Sequence, residues 1–130
     1  RLYLQQILKV RQQKHLIQKK LYIADTGENI KCMYVFDVEG DLISNQKLVY
    51  DFKPFFSDGF RCDKDGNIWT SAGKAIKCFN PQNELIGQLI LPELVSNLEF
   101  GGKEGNTLYV TATSSLYAME LNQIGAKFPI

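Results

Sequence analysis

This sequence contains a loose repeat of paired β-strand patterns. Three segments, beginning at Leu21, Ile68 and Leu108, each contain an apolar run with an aromatic residue, a small or polar stretch, and a second aromatic-bearing run. Their starts are 47 and 40 residues apart. Because a four-stranded blade of a β-propeller occupies about 40–50 residues, the repeat predicts consecutive antiparallel blades.

The β pattern covers the chain from Leu21 onward. Short runs rich in β-branched and aromatic residues recur about every 8–12 residues, with turn-forming residues between them. The runs are LYIAD, CMYVFDV, KLVYDF, GFRCD, NIWTS, AIKCFN, LIGQLIL, LEFGG, TLYVTAT and SLYAMEL. They predict an all-β fold of about two and a half four-stranded blades. A propeller with so few blades would leave two apolar sheet faces uncovered. We therefore expect either further blades before Arg1 or self-association through these faces.

The first twenty residues differ from the rest because they carry six basic residues and no acid. Leu4, Ile7 and Leu8 fall at helical spacing, so the local pattern predicts a helix from about Leu2 to Gln18. A basic segment can bind nucleic acid or anionic lipid. Since the rest of the chain is net acidic, we instead expect a solvated or misplaced segment, with neither nucleic acid nor a membrane as partner.

Composition and cysteine usage indicate the compartment. The chain has 130 residues, 45% hydrophobic and 22% charged, which is typical of a globular domain. No apolar run reaches the roughly 18 residues of a membrane span, and the first residues lack the apolar core of a signal peptide. Cys32, Cys62 and Cys78 lie in apolar runs at spacings that match no zinc motif. We therefore predict buried, reduced thiols and a cytoplasmic protein.

Two Asp-Gly pairs lie close together in FFSDGFRCDKDGNIWTSAG, residues 55–73. The second pair, Asp65-Gly66, belongs to the segment Asp63–Asn67 between two β-like runs. This composition predicts a hairpin turn, because Asp and Asn tolerate left-handed backbone angles and Gly supplies positive φ. The segment also resembles the start of a calcium loop, but no glutamate follows where the bidentate ligand would stand. A turn is the favoured interpretation.

The first pair, Asp58-Gly59, precedes the run FRC and lies at the predicted crossover into a new blade. The first strand of a propeller blade lines the central channel, so we expect the Asp58 carboxylate to point toward the axis. Carboxylate and amide oxygens suit a hard divalent cation such as Ca²⁺. A plain turn or a strand-end cap is the alternative that spacing alone leaves open.

Several landmarks occur in order between Lys20 and Leu121: LYIADTG, SDGFRCDKDGNIW, LILPE, SNLEFGG and LYVTAT. Together they resemble the C-terminal half of the senescence marker protein/gluconolactonase family of regucalcin-like sugar lactonases. The resemblance implies a partial six-bladed β-propeller that hydrolyses a sugar lactone with a divalent metal, Ca²⁺ first and Zn²⁺ or Mg²⁺ as alternatives. It also implies that Asp58 is a metal ligand and the general base. Ser57 replaces the proline usual before this aspartate.

The family's other metal ligands have no counterpart here. The resemblance implies an early Glu, which would precede Arg1, and an Asn shortly before LYIAD, where this chain has VRQQKHLIQKK. Because Ca²⁺ takes about 6–8 oxygen ligands, we expect a fragment that is an inactive or weak lactonase by itself. The alternative is a non-catalytic propeller scaffold or pseudoenzyme module that completes its ring with another chain.

The change in pattern at Lys20 is abrupt, and we hypothesise that residues 1–20 are a frame-slipped segment. Residues 16–20, LIQKK, are what codons for Pro-Asp-Thr-Lys-Lys encode when read one base later, and resequencing the locus tests this. The predicted domains are therefore an atypical basic segment at 1–20 and gluconolactonase-like propeller blades at 21–130.

The other polar and aromatic candidates are predicted to be structural. Trp69 and Phe79 should pack between blades. Asp25 should accept backbone amides at a strand end, and Asn97 should make a structural hydrogen bond, with a channel-facing position as its alternative. The serine-rich turn at 113–115 has no visible base nearby, so a serine nucleophile is not expected.

Overall fold

The computed structural model describes residues 2–12 and 16–126, with side chains from residue 19 to residue 126. Every regular element in these residues is a β-strand. In chain order the strands are β1 (Leu2–Gln12), β2 (Leu16–Asp25), β3 (Cys32–Glu39), β4 (Leu42–Asp51), β5 (Phe60–Cys62), β6 (Ile68–Ala72), β7 (Ala75–Phe79), β8 (Leu85–Ile90), β9 (Val95–Gly101), β10 (Thr107–Ala112) and β11 (Leu116–Glu120). Within the described residues, no helix has the length and apolar character that crossing a membrane requires.

The strands form three antiparallel sheets in which chain neighbours pair. The sheet orders are β1-β2-β3-β4, β5-β6-β7-β8 and β11-β10-β9. The chain divides into two compact units, Arg1–Ser57 and Asp58–Ile130, so the first sheet forms one unit and the other two form the second. Sequential antiparallel sheets of three or four strands are the architecture of propeller blades.

The predicted runs and their repeat are confirmed. The ten β-rich runs coincide with strands β2 to β11. Leu21, Ile68 and Leu108 all lie in the second strand of their sheets and are buried. The sequence repeat therefore corresponds to the second and third strands of successive sheets, where an apolar residue of one strand pairs with a large residue of the next: Leu21 with Phe36, Ile68 with Phe79, and Leu108 with Met119.

The predicted N-terminal helix is wrong. Residues 2–12 form β1 and residues 16–25 form β2, and the two strands pair antiparallel from Leu2 opposite Asp25 to Gln12 opposite Leu16. Strand pairing overrides local helix propensity here, and the run Leu8–Arg11 also alternates apolar and basic residues as a strand does. Residues 13–15, which the predicted helix included, lie outside the described residues. The domain boundary at residue 20 and the frame slip stay predictions.

The second unit has a core between its two sheets. Trp69 of β6 packs edge-to-face on Phe100 of β9 with ring centroids 6.0 Å apart. The guanidinium Nε of Arg61 in β5 lies 2.6 Å from a carboxylate oxygen of Glu99 in β9. The buried members of this core are Ile76, Leu91, Val95, Leu98, Leu108 and Val110. Trp69 thus packs between sheets, as predicted, and Phe79 is buried; its predicted packing between blades stays a prediction.

The three cysteines are buried and form no disulfide, as predicted. Burial, together with the smaller effect of the nearby Asp63 carboxylate, raises the pKa of the Cys78 thiol to about 12. Burial and Asp63 likewise raise the pKa of Cys62 far above its usual range. Both thiols therefore stay protonated at neutral pH and do not act as nucleophiles.

Candidate active site around Asp58

The hairpin between β5 and β6 is organised by a buried aspartate. Asp63 is 1% exposed. One of its carboxylate oxygens accepts the backbone N–H groups of Asp65 and Asn67, each at 3.0 Å. The other accepts the Asn67 side-chain amide at 2.8 Å and the Trp69 indole N–H at 3.0 Å. Gly66 has φ of 86°, which confirms the predicted hairpin turn.

Asp63 is a structural carboxylate whose importance the sequence pattern does not reveal. The turn prediction rests on the Asp-Gly pair, but four donors converge on Asp63 instead. Both of its oxygens are thereby occupied, so Asp63 is not available as a cation ligand. The spacing of Asn67 and Trp69, four and six residues after Asp63, is the sequence feature that could have indicated this network.

The Asp58-Gly59 pair is held through its backbone. The N–H groups of Asp58 and Gly59 both donate to the Ser71 hydroxyl oxygen, at 2.9 Å and 3.1 Å. The Ser71 N–H donates back to the Gly59 carbonyl at 2.9 Å. Ser71 is fully buried in β6, whereas the Asp58 side chain is exposed. Among the described side chains and backbone groups, none donates a hydrogen bond to the Asp58 carboxylate.

Asn97 of β9 lies against the same pair. A Cβ atom on Gly59 would come within 2.2 Å of the Asn97 amide oxygen and 2.9 Å of its Cα, so only glycine fits. The Asn97 amide oxygen accepts the Leu98 N–H at 2.8 Å, which confirms the predicted structural hydrogen bond. The structure thus brings the exposed side chain of Asn97 against Gly59, the residue that follows the exposed Asp58.

The oxygen atoms at this site are of the chemical type that a hard divalent cation prefers as ligands. Asp58 offers a carboxylate that no described group occupies, and Asn97 offers an amide oxygen with a second lone pair. They do not fit in number, because residues 19–126 contain no cluster of three or more His, Cys, Asp and Glu side chains placed to hold a metal ion. Asp25 is elsewhere engaged as predicted, since one carboxylate oxygen accepts the Gly27 N–H at 2.9 Å.

A second polar cluster joins the segment before β9 to the β10–β11 turn. The Glu93 carboxylate accepts hydrogen bonds from the Ser114 hydroxyl and, at 2.9 Å, from the Tyr117 hydroxyl. The Ser114 hydrogen bond, followed by those of Ser115 and Tyr117, lowers the pKa of Glu93. The hydrogen bond to Glu93 raises the pKa of Tyr117. These serines act as donors to a carboxylate, and this cluster stabilises the loop.

The sequential antiparallel sheets define a partial β-propeller. A family model described as the SMP-30/Gluconolactonase/LRE-like region matches residues 17–114. The chain belongs to this family, and the predicted family and fold class are confirmed.

Curated relatives and solved structures agree with this assignment. The chain is 26% identical over 99 residues to the lactonohydrolase oryH of Aspergillus oryzae, covering 75% of this chain and 21% of that protein. It is 27% identical over 119 residues to a gluconolactonase of Zymomonas mobilis, covering 83% and 33%. The chain therefore spans a third or less of these relatives.

A structural-genomics candidate gluconolactonase is 30% identical, with a TM-score of 0.69 and coverage of 84% of this chain and 37% of that one. A luciferin-regenerating enzyme at 24% identity has a TM-score of 0.70, with coverage of 82% and 43%, and shares the fold.

Proposed function

We propose that this chain is part of a divalent-metal-dependent sugar lactonase in which Asp58 is the metal ligand and general base. The observation that carries the proposal is the contrast in hydrogen bonding at Asp58. Its backbone is fixed by Ser71, while its carboxylate is exposed and receives no donor from the described residues. A carboxylate held in place without internal partners is available for a ligand and a proton.

The proposed chemistry is the opening of a cyclic ester by water to give a hydroxy acid. Ca²⁺ is the cation that best suits the carboxylate and amide oxygens, with Zn²⁺ and Mg²⁺ as alternatives. When bound, such a cation would supply polarisation of the lactone carbonyl. Asp58 would hold the cation through one oxygen and accept a proton from the attacking water on the other.

We further propose that the chain alone is an inactive or weak lactonase. Asp58 and Asn97 supply at most three oxygens, about half of the ~6–8 that Ca²⁺ takes. Exposed apolar side chains on β4 and β8, including Leu42, Ile43 and Ile90, favour self-association or contact with another chain. The buried, reduced thiols support a cytoplasmic location.

The second candidate function is a propeller scaffold or pseudoenzyme module that completes its ring with another chain. The small number of acidic ligands near Asp58 among the described side chains favours it. A scaffold need not bind a cation, whereas a lactonase of this kind must.

A combined titration and assay separates the two functions. Calorimetry with CaCl₂ measures cation binding, and acid release from gluconolactone measures ring opening above the uncatalysed rate. We expect Ca²⁺ binding and weak, Ca²⁺-dependent opening, both lost in Asp58→Ala and kept in the matched surface variant Asp65→Ala. Absence of Ca²⁺ binding by the wild-type chain would favour the scaffold. Undiminished opening by Asp58→Ala would remove Asp58 from the chemistry.

A further inference from the structure

We propose that the free edge of β11 is a docking surface for a second copy of this chain, whose own β11 pairs antiparallel with the first across a two-fold axis. Neither Asp58 nor a cation takes part in this contact. The sheet β11-β10-β9 has three strands, whereas each of the other two sheets has four. β11 pairs with β10 alone, so a further strand can add on its other side.

The hydrogen bonds at the two ends of the β10–β11 ladder show which β11 residues are bonded to β10. The N–H of Ala112 donates to the Ser115 carbonyl at 3.0 Å, and the N–H of Leu121 donates to the Asn106 carbonyl at 2.9 Å. Hydrogen-bonded pairs alternate along an antiparallel ladder. The odd-numbered residues of β11 therefore bond to β10, and its even-numbered residues turn their N–H and C=O groups toward the open edge.

The residues that face the open edge are Leu116, Ala118 and Glu120. Their side chains are exposed, and no described strand pairs with them on that side. They thus present a row of backbone donors and acceptors in the arrangement that an antiparallel strand requires.

The other edge strands that the structure describes are less suited to pairing. The ladders of β1, β4, β8 and β9 each contain at least one register shift, and β5 has only three residues. Irregular pairing and short length both hinder the addition of a strand to a sheet edge. The β10–β11 ladder has no register shift, and β11 contains neither Lys nor Pro, which commonly block edges.

The β11 sequence LYAME is complementary to itself in antiparallel register. With Ala118 opposite Ala118 of the second copy, Leu116 lies opposite Glu120, and every outward N–H and C=O group has a partner. The one charged residue of the strand then faces an apolar side chain and not another carboxylate. On the other face Tyr117 lies opposite Met119, and both pack on the core of the unit. This self-complementarity assigns the position to a second copy, because a two-fold contact uses the same surface on both chains.

The contact is small, because each copy contributes a strand of five residues. It buries less than the roughly 1,200 Å² of a standard interface. We therefore expect a weak dimer whose population rises with protein concentration.

Sedimentation velocity and amide hydrogen exchange by NMR, measured on the full chain over a range of protein concentrations, test the proposal. We expect a monomer–dimer equilibrium and protection of the Leu116, Ala118 and Glu120 amides that increases with concentration. The Tyr117 and Met119 amides should be protected throughout, because they bond to β10. A chain that stays monomeric at millimolar concentration would overturn the proposal. Edge amides protected equally at every concentration would also overturn it, because a segment of the same chain would then cover the edge.

Three variants identify the surface. Ala118→Pro removes the N–H at the two-fold axis without removing a hydrogen bond to β10, and we expect dimerisation to weaken by about tenfold or more. Ala118→Val keeps this N–H and should dimerise as the wild type does. Ile90→Lys, at an exposed apolar residue of β8, should also dimerise as the wild type does.

A dimer that Ile90→Lys disrupts and Ala118→Pro leaves unchanged would show that the copies associate through β8, and the proposal would be wrong. If Ala118→Pro does not fold, the concentration dependence of the wild-type edge amides decides the question alone. None of these outcomes bears on the proposed lactonase function, which the Ca²⁺ titration and the ring-opening assay test separately.

Discussion

Two aspartates at the two ends of β5 have opposite environments. Asp63 follows the strand, is buried, and accepts four hydrogen bonds from its own hairpin. Asp58 precedes the strand, is exposed, and receives no hydrogen bond on its carboxylate from the described residues. The Asp63 side chain accepts hydrogen bonds from the backbone of its hairpin. At Asp58 the backbone N–H is hydrogen-bonded to Ser71 and the side chain is exposed.

The difference shows how a fold separates structural from chemical carboxylates. A buried carboxylate must have its oxygens satisfied, since an unsatisfied buried charge is costly. Once satisfied, it has no lone pair to offer a ligand. An exposed carboxylate on a fixed backbone keeps its lone pairs available. The hydrogen-bond environment, and not the presence of a neighbouring glycine, therefore decides which aspartate can do chemistry.

Removing the Asp63 carboxylate should have the largest effect on stability. In Asp63→Ala the Asn67 and Trp69 donors lose their acceptor inside the unit, so we expect a loss of about 3–4 kcal/mol in the free energy of unfolding. Asp58→Ala should change it by less than about 0.5 kcal/mol, as an exposed substitution does. Urea denaturation measures both. Equal losses in the two variants would contradict the distinction between them.

A methyl group at Gly59 should have the next largest effect. Its contact of 2.2 Å with the Asn97 oxygen and 2.9 Å with the Asn97 Cα requires backbone movement. We expect Gly59→Ala to lower the free energy of unfolding by about 1–3 kcal/mol. Gly87 in β8 is the matched control, because no atom lies within 4 Å of its added Cβ. Gly87→Ala should be neutral or stabilising by about 0.5 kcal/mol.

The outcome that would count against the close packing at Gly59 is a Gly59→Ala chain as stable as Gly87→Ala. Such a result would mean that Asn97 does not lie against the Asp58-Gly59 pair. It would also remove one of the two restraints on the Asp58 backbone.

A third carboxylate, Glu93, is intermediate between the two aspartates and should show the smallest effect. It is partly exposed, yet hydrogen bonds from Ser114, Ser115 and Tyr117 lower its pKa below the usual 4.5. A lowered folded-state pKa stabilises the fold above the unfolded pKa, and this contribution disappears as the pH falls through the folded value. The difference in free energy of unfolding between wild type and Glu93→Gln should therefore be largest near neutral pH and should shrink below about pH 4.5.

Urea denaturation at several pH values between neutral and acidic measures this effect. Glu104→Gln is the control, because it makes the same charge change on an exposed residue of the β9–β10 turn. Its difference from wild type in free energy of unfolding should be smaller and should change less with pH. A Glu93→Gln difference that grows as the pH falls would contradict the expected sign of this contribution.

Much of this fold could be predicted from local sequence, but the long-range contacts could not. Ten strands and the Asp63–Asn67 hairpin follow from alternation and turn chemistry, which act between near neighbours. The strand β1 is hidden in the sequence because its residues are good helix formers. The Ser71 hydrogen bonds and the Asn97 contact join residues 12–38 positions from the Asp58-Gly59 pair, and only the folded chain brings them together.

The most direct test of Asp58 as a cation ligand is the Ca²⁺ affinity of two matched variants, Asp58→Asn and Asp65→Asn, measured by calorimetry. Both variants remove one negative charge from an exposed aspartate, seven residues apart in the chain. If Asp58 is a cation ligand, Asp58→Asn weakens Ca²⁺ binding by about tenfold or more, while Asp65→Asn binds as the wild type does. Wild-type affinity in Asp58→Asn, or an equal loss in both variants, would contradict it.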